Sequence, residues 1–158
     1  MGVVIRSWET LAAEIERRRS AGERLVTTNG VFDILHVGHA RTLQAARALG
    51  DVLVVGVNSD ASTKRLKGPT RPYNSEDDRA ELLAALGCVD FVTIFENDTP
   101  IQLIERLRPE VHVKGGDYNP EEMVETPAVR KHGGEVVVLP FAEGRSTTGL
   151  VGRIAKSG

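Results

Sequence analysis

The stretch TTNGVFDILHVGH, residues 27–39, decides how this chain is read. Leu25-Val26 leads into Thr27-Thr28 as a buried strand, and Asn29-Gly30 breaks it. A helical pattern opens near Val37 and runs through Leu43, Ala46 and Leu49 to a stop at Gly50. A strand, a tight turn and a helix start present unpaired backbone N–H groups to an anion. Gly30 lets the backbone come close to a ligand. His36 and His39 stand three apart, so on a first helical turn they share a face. Two imidazoles and several N–H donors then converge on one spot, which suits charge developing on a phosphate. No Gly-Lys-Ser/Thr follows, so this is not a Walker A loop, and the G-x-G-x-x-G dinucleotide fingerprint is absent. A bare H-x-G-H would fit a turn cap and a packed helix residue; its place after a strand and a glycine turn favours the functional reading.

The 158 residues suit one domain with a single core, residues 1–24 forming an N-terminal helix and 25–158 the rest. Hydrophobic residues make up 41% and charged residues 27%, an ordinary globular composition. A net charge of −2 creates no field for nucleic acid, and 4% aromatics argue against stacking platforms for single strands. Cys88 is the only cysteine, excludes an internal disulfide, and reads as a small core residue. No apolar stretch approaches membrane-spanning length and no signal core opens the chain, so a cytoplasmic protein is expected.

Ser7 or Thr10 caps a first helix that ends at Arg17-Arg18-Arg19. Asp51–Val57 is a near-continuous apolar run, the mark of a strand buried on both faces of a parallel sheet. Asn58 and Asp60 follow at its carboxyl end, where open α/β sheets bind ligands; Asp60 is either a helix cap or a sugar-hydroxyl contact. Residues 62–74, STKRLKGPTRPYN, read as a basic loop hinged by Gly68, Pro69 and Pro72. Such a loop beside a phosphate site suits a lid, with Lys64, Lys67 and Arg71 facing substrate phosphate. Arg79 lies on the first turn of a helix over 75–86, a misfit with the dipole that asks for an anionic partner: Glu76, Asp78 or the substrate. Asp90–Ile94 is a third strand, and Asn97-Asp98-Thr99-Pro100 a cap with Pro at the first helical position. Val111–Val113 is a fourth strand in which His112 reads as a sheet-face residue. In Lys114-Gly115-Gly116-Asp117-Tyr118 the glycines allow a nest of N–H groups, Lys114 a phosphate or base contact, and Asp117 a hydroxyl or structural contact. A weak helix over 121–132 precedes a fifth strand, Glu135–Leu139. Ser146, Thr147 and Thr148 then cap a last helix whose N-terminus suits a phosphate. Strands alternating with helices predict a doubly wound, five-stranded parallel sheet.

With these motifs in place, the chain resembles the nucleotidylyltransferases, whose fold is shared with class I aminoacyl-tRNA synthetases. More narrowly it is similar to the D-glycero-β-D-manno-heptose 1-phosphate adenylyltransferase family, an activity also found as the C-terminal domain of a bifunctional heptose kinase/adenylyltransferase. The likeness covers about Leu25 to Ile154 and rests on TNGVFDILHVGH, VNSDASTKRLKG, FENDTP, VKGGDY, GGEVVVLPF and RSTTGLVGRI. It implies transfer of AMP from ATP to a heptose 1-phosphate, giving ADP-heptose and pyrophosphate in a stand-alone enzyme. It implies catalysis by His36, His39, Lys64 and Lys67. The nucleotide would lie on Thr28, Asn29, Gly30, Val31, Phe32, His36, Gly38, His39, Lys114, Gly115, Asp117, Arg145, Ser146, Thr147 and Thr148. The sugar phosphate would lie on Asp33, Asn58, Asp60, Lys64, Lys67, Arg71 and Arg79. Mg²⁺ is expected, held mainly by phosphates. A homodimer is compatible with the resemblance, with helix 1 or residues 119–132 as candidate surfaces. Two other readings remain open: a CTP-dependent enzyme acting on glycerol 3-phosphate or a similar alcohol phosphate, and a nucleotide-binding module without catalysis.

Overall fold

A computed structural model describes residues 1–140 and 146–158. The chain runs β1 (Val3–Val4), α1 (Trp8–Ser20), β2 (Leu25–Gly30), α2 (Val37–Arg47), β3 (Val52–Asn58), α3 (Asp60–Lys67), α4 (Glu76–Ala84), β4 (Phe91–Phe95), α5 (Ile101–Leu107), β5 (Val111–Gly115), a 3₁₀ turn (Pro120–Glu122), α6 (Thr126–Lys131), β6 (Glu135–Leu139) and α7 (Thr147–Ser157). The sheet order is β1-β4-β3-β2-β5-β6, and every pairing is parallel. The expected five strands are all present. The sixth, β1, adds two exposed residues to the edge, Val3 opposite Phe91 and Val4 opposite Val92, and is too short to leave a periodic pattern.

The apolar runs go where continuous hydrophobicity demands. Every residue of β3 is buried, because helices cover both faces of the sheet. Leu43 and Ala46 of α2 and Ala80, Leu83 and Ala84 of α4 close one face over Val26, Leu53, Val55 and Val113. Leu11 and Ile15 of α1 and Leu103 and Leu107 of α5 close the other over Leu25, Val52 and Val54. Cys88 packs half-buried against the first of these layers, as a small core residue should.

The winding places the site. After the edge strand β1, the chain enters the middle of the sheet at β2, steps outward through β3 to β4, then crosses back to lay β5 on the other side of β2. The strand order reverses at β2, and the crevice at the carboxyl ends of β3, β2 and β5 is where such sheets take ligands.

Residues 62–74 are not one loop: α3 occupies Asp60–Lys67. Ser59 caps it by accepting the Ser62 N–H, and Gly68, with φ 108°, stops it. Gly68 and the prolines beyond it therefore punctuate the end of a helix.

Candidate active site

A cavity of about 510 Å³ opens over this crevice, and Thr28, Asn29, Gly30, Val31, Phe32, Asp33, His36 and His39 border it together. Its centre is the strand-to-helix turn. Phe32 sits at φ 50°, a left-handed conformation rare for an aromatic residue, which turns the chain sharply away from β2. A Cβ on residue 30 would lie 3.1 Å from the Phe32 ring, so a glycine suits this approach.

His36 is the N-cap of α2, its Nδ1 accepting the Gly38 N–H at 3.1 Å. His39 Nδ1 accepts the His36 N–H at 3.3 Å. The two rings stack with centroids 3.9 Å apart, and Phe32 lies 5.2 Å from His39 on another side. Backbone N–H groups only donate, so both Nδ1 atoms act as acceptors, and the His39 ring holds its hydrogen on Nε2. Burial, aided by the nearby His36, pulls the His39 pKa down to about 4, and the ring is neutral at pH 7. Capping and anion binding are thus compatible roles for the same side chains: Nδ1 fixes the ring and Nε2–H is the donor. Gly38 contributes differently from the sequence reading, because it is buried off the cavity with its N–H held by His36.

Three residues expected at the substrate are engaged in structural bonds. The Asp33 side chain is 1% exposed and accepts from Arg71 Nε at 2.7 Å and from the backbone N–H groups of Tyr73 and Asn74. Burial raises its pKa, but those N–H bonds and the Arg71 charge outweigh it and hold the carboxylate below its usual range. Asp33 therefore ties the segment after α3 to the turn and has little capacity left for a sugar. Arg79 is fully buried beneath the site; it donates to Asn74 O, Val31 O, Asn58 O and Asp60 Oδ1. Its anionic partner is Asp60, not Glu76, Asp78 or a substrate. Asp60, held by that guanidinium, does not border the cavity, and Ser59 does the capping. Asn58 borders the cavity while its Nδ2 donates to Ser62 Oγ.

The cationic wall comes from the end of α3 and the segment after it. Lys67 and Arg71 border the cavity, whereas Lys64, one turn earlier on α3, is exposed outside it. Leu66, Asp98, Thr99 and Pro100 complete this wall, and Thr42 and Leu43 of α2 join the floor. Asp98 and Thr99 read in sequence only as a helix start; Pro100 takes the N-cap position itself, without a side-chain cap, and the two residues before it border the cavity.

Across the turn, Lys114 and Gly115 end β5 at the cavity rim with Tyr118, Val124 and Glu125. Lys114 Nζ lies 5.1 Å over the Tyr118 ring and 3.9 Å from Glu125 Oε1. Asp117 does not reach this cavity; it borders a neighbouring one of about 340 Å³. His112 is buried on the sheet face as expected, its Nδ1 2.8 Å from Thr27 Oγ1. Ser146, Thr147 and Thr148 close the rim. Ser146 caps α7 through the Gly149 N–H, and Thr147 Oγ1 donates to Ile34 O, fastening that helix over the turn. Arg145 lies outside the described residues.

The model of the cytidylyltransferase-like family matches residues 27–148. A bifunctional protein HldE of Geotalea uraniireducens (strain Rf4) is 54% identical over 150 residues, 95% of this chain and 31% of that protein. The HldE of Syntrophotalea carbinolica is 56% identical over 141 residues, 89% of this chain and 28% of its own length. The chain thus spans about a third of the curated relatives it matches. Among solved structures, a lipopolysaccharide core biosynthesis protein from Thermoplasma volcanium superposes with a TM-score of 0.64 at 31% identity, covering 77% of this chain and 98% of that one. A pantothenate synthetase from Thermus thermophilus, 20% identical with a TM-score of 0.59 over 87% of this chain and 61% of that one, shares the fold. Matched across the strand, the histidine turn and the last cap that build the cavity, the chain belongs to the cytidylyltransferase-like family.

Proposed function

We propose that the chain is an adenylyltransferase that moves AMP from ATP to D-glycero-β-D-manno-heptose 1-phosphate, releasing pyrophosphate. The observation that carries the reading is the stacked His36–His39 pair, both Nδ1 atoms held by backbone N–H groups, beside a wall bearing Lys67 and Arg71. The sequence likeness to heptose 1-phosphate adenylyltransferases and the match to one part of the bifunctional HldE proteins support the substrates.

A sugar-phosphate oxygen attacks the α-phosphorus of ATP in line. The new P–O bond forms as the bond to the β-phosphate oxygen breaks, and pyrophosphate leaves with that electron pair. A phosphate monoester is already an anionic nucleophile at neutral pH, so no general base is required. Positioning and charge stabilisation then carry the rate. The Nε2–H groups of His36 and His39 and the backbone N–H groups of Gly30 to Phe32 face the α/β-phosphates. Lys67 and Arg71 receive the sugar phosphate, with Lys64 at the cavity's outer approach. The N-terminus of α7, with Ser146 and Thr148, takes the far phosphates.

The donor set fits a Mg²⁺ ion held by phosphate oxygens and water, which would neutralise phosphate charge. Among the described residues no three His, Cys, Asp or Glu side chains gather, and Asp33 and Asp98 already face arginines.

The test is pyrophosphate release with Mg²⁺, ATP or CTP, and heptose 1-phosphate or glycerol 3-phosphate. Release with ATP that depends on the sugar phosphate is expected. Release with CTP and glycerol 3-phosphate instead would replace both substrates.

A further inference from the structure

Glu125 stands at the junction of the two cavities, bordering both, yet it is only 4% exposed. Among the described residues no donor hydrogen-bonds its carboxylate. Lys114 Nζ and His112 Nε2 are its charged or polar neighbours, each 3.9 Å from Oε1. His112 Nε2 is buried without a hydrogen-bond partner. Burial and the Lys114 charge pull the His112 pKa down to about 3, so this ring brings no positive charge to Glu125. Among the described residues, Lys114 alone balances the carboxylate. Buried acceptors are almost always satisfied, and one left open on a cavity wall is an acceptor awaiting a donor from a ligand.

The surroundings select the donor. Tyr118 and Val124, 50% and 61% exposed, offer apolar surface beside Glu125. Lys67 and Arg71 border the same cavity from the far side of β2, on the segment that follows β3. A phosphorylated sugar is drawn to those cations and repelled by a carboxylate. A flat, neutral base with an exocyclic amine gains from the apolar flank and satisfies the acceptor.

We infer that Glu125 accepts a hydrogen bond from the exocyclic amine of the bound nucleobase, and so sets a preference for amino-bearing bases over oxo-bearing ones. The inference rests on the nucleotide-binding reading above and adds a specificity residue on the β5 side. Adenine and cytosine both carry such an amine; hypoxanthine presents an oxygen at the same place, which would set two acceptors against each other.

The experiment is equilibrium binding of ATP and of ITP to the full chain by calorimetry, without sugar phosphate. ITP carries an oxo group in place of the 6-amino group of ATP, and a proton on the adjoining ring nitrogen N1. ATP should bind roughly ten- to a hundredfold more tightly, the range expected of a hydrogen bond to a charged acceptor. Glu125→Gln, whose amide can donate to the hypoxanthine oxygen, should narrow or invert the ratio, with circular dichroism confirming the fold. Equal affinities for ATP and ITP in the unmutated chain would overturn the inference whatever the variant does. So would a folded Glu125→Gln chain that keeps the full ATP preference but raises KM for heptose 1-phosphate, which would give the carboxylate to a sugar hydroxyl. Because binding is read without an acceptor, failure of transfer to heptose 1-phosphate would leave this result standing, and the converse also holds.

Discussion

The imidazole of His39 stacks on that of His36 at 3.9 Å, and each ring spends Nδ1 on a backbone N–H of the same helical turn. The turn and the rings hold each other in place, so neither histidine needs to reorganise when charge develops in front of it. Substituting them separates capping from chemistry. Asparagine is a good N-cap, so His36→Asn should melt near the parent temperature while pyrophosphate release falls by about 10²–10³. His39→Ala should lose at least as much while remaining folded. A calorimetric melt beside the release assay checks both, and near-normal turnover in either folded variant contradicts the role.

Asp33 gathers Arg71, Tyr73 and Asn74 beneath the cationic wall. Removing one partner of a buried ion pair leaves an uncompensated charge, at a cost of about 3–5 kcal/mol. Asp33→Ala is expected to destabilise by that order in urea unfolding, and to raise KM for the sugar phosphate by releasing Arg71. A variant of unchanged stability would show that the segment is held by other contacts.

Arg79 offers a sharper distinction, because one guanidinium reaches three carbonyls and Asp60. Lysine keeps the charge but not the fork. Arg79→Lys should lower unfolding free energy by about 3 kcal/mol or more. Its KM for either substrate should change only as far as the fold is lost. An altered KM at full stability would return Arg79 to the substrate.

Acid should weaken the fold through the buried imidazoles. His112 and His39 have folded pKa values of about 3 and about 4, below the usual 6.5. As pH falls below 6.5 the unfolded chain takes up protons that the folded chain refuses, so stability is full above that pH and declines toward 4. Each such histidine contributes a slope of at most about 1.4 kcal/mol per pH unit. The groups facing His112 are Thr27, Lys114 and Glu125. Urea unfolding of His112→Gln between about pH 7 and 4.5 should show a shallower decline than the parent; parallel curves would contradict a buried neutral His112.

The parallel sheet was legible because strands such as β3, β4 and β6 are apolar runs bounded by glycine and cap signals. The histidine turn after β2 fell where the winding puts a crevice. What escaped depends on contacts distant in sequence. Gly68, Pro69 and Pro72 suggested a loop, yet α3 ends at Gly68, and this places Lys67 at the cavity and Lys64 off it. The misfit of Arg79 on its first turn was visible, but its partner Asp60 is 19 residues away and reaches it only through the β3–α3 connection. Glu125 gave no signal, since a glutamate in a weakly patterned helix looks solvated until α6 folds against β6 and α5. Thr42, Leu66, Asp98, Thr99 and Pro100 likewise reach the cavity by topology alone.

The central claim is that this cavity joins a nucleotide to a sugar phosphate, and ³¹P magnetic resonance of the product tests it most directly. Incubation with ATP, Mg²⁺ and heptose 1-phosphate should give a pair of coupled diphosphate resonances from the nucleotide sugar and an equal amount of pyrophosphate, and His39→Ala should abolish both while retaining ATP binding. Orthophosphate or ADP in place of those signals, or ATP bound and unchanged beside the sugar phosphate, would contradict the account.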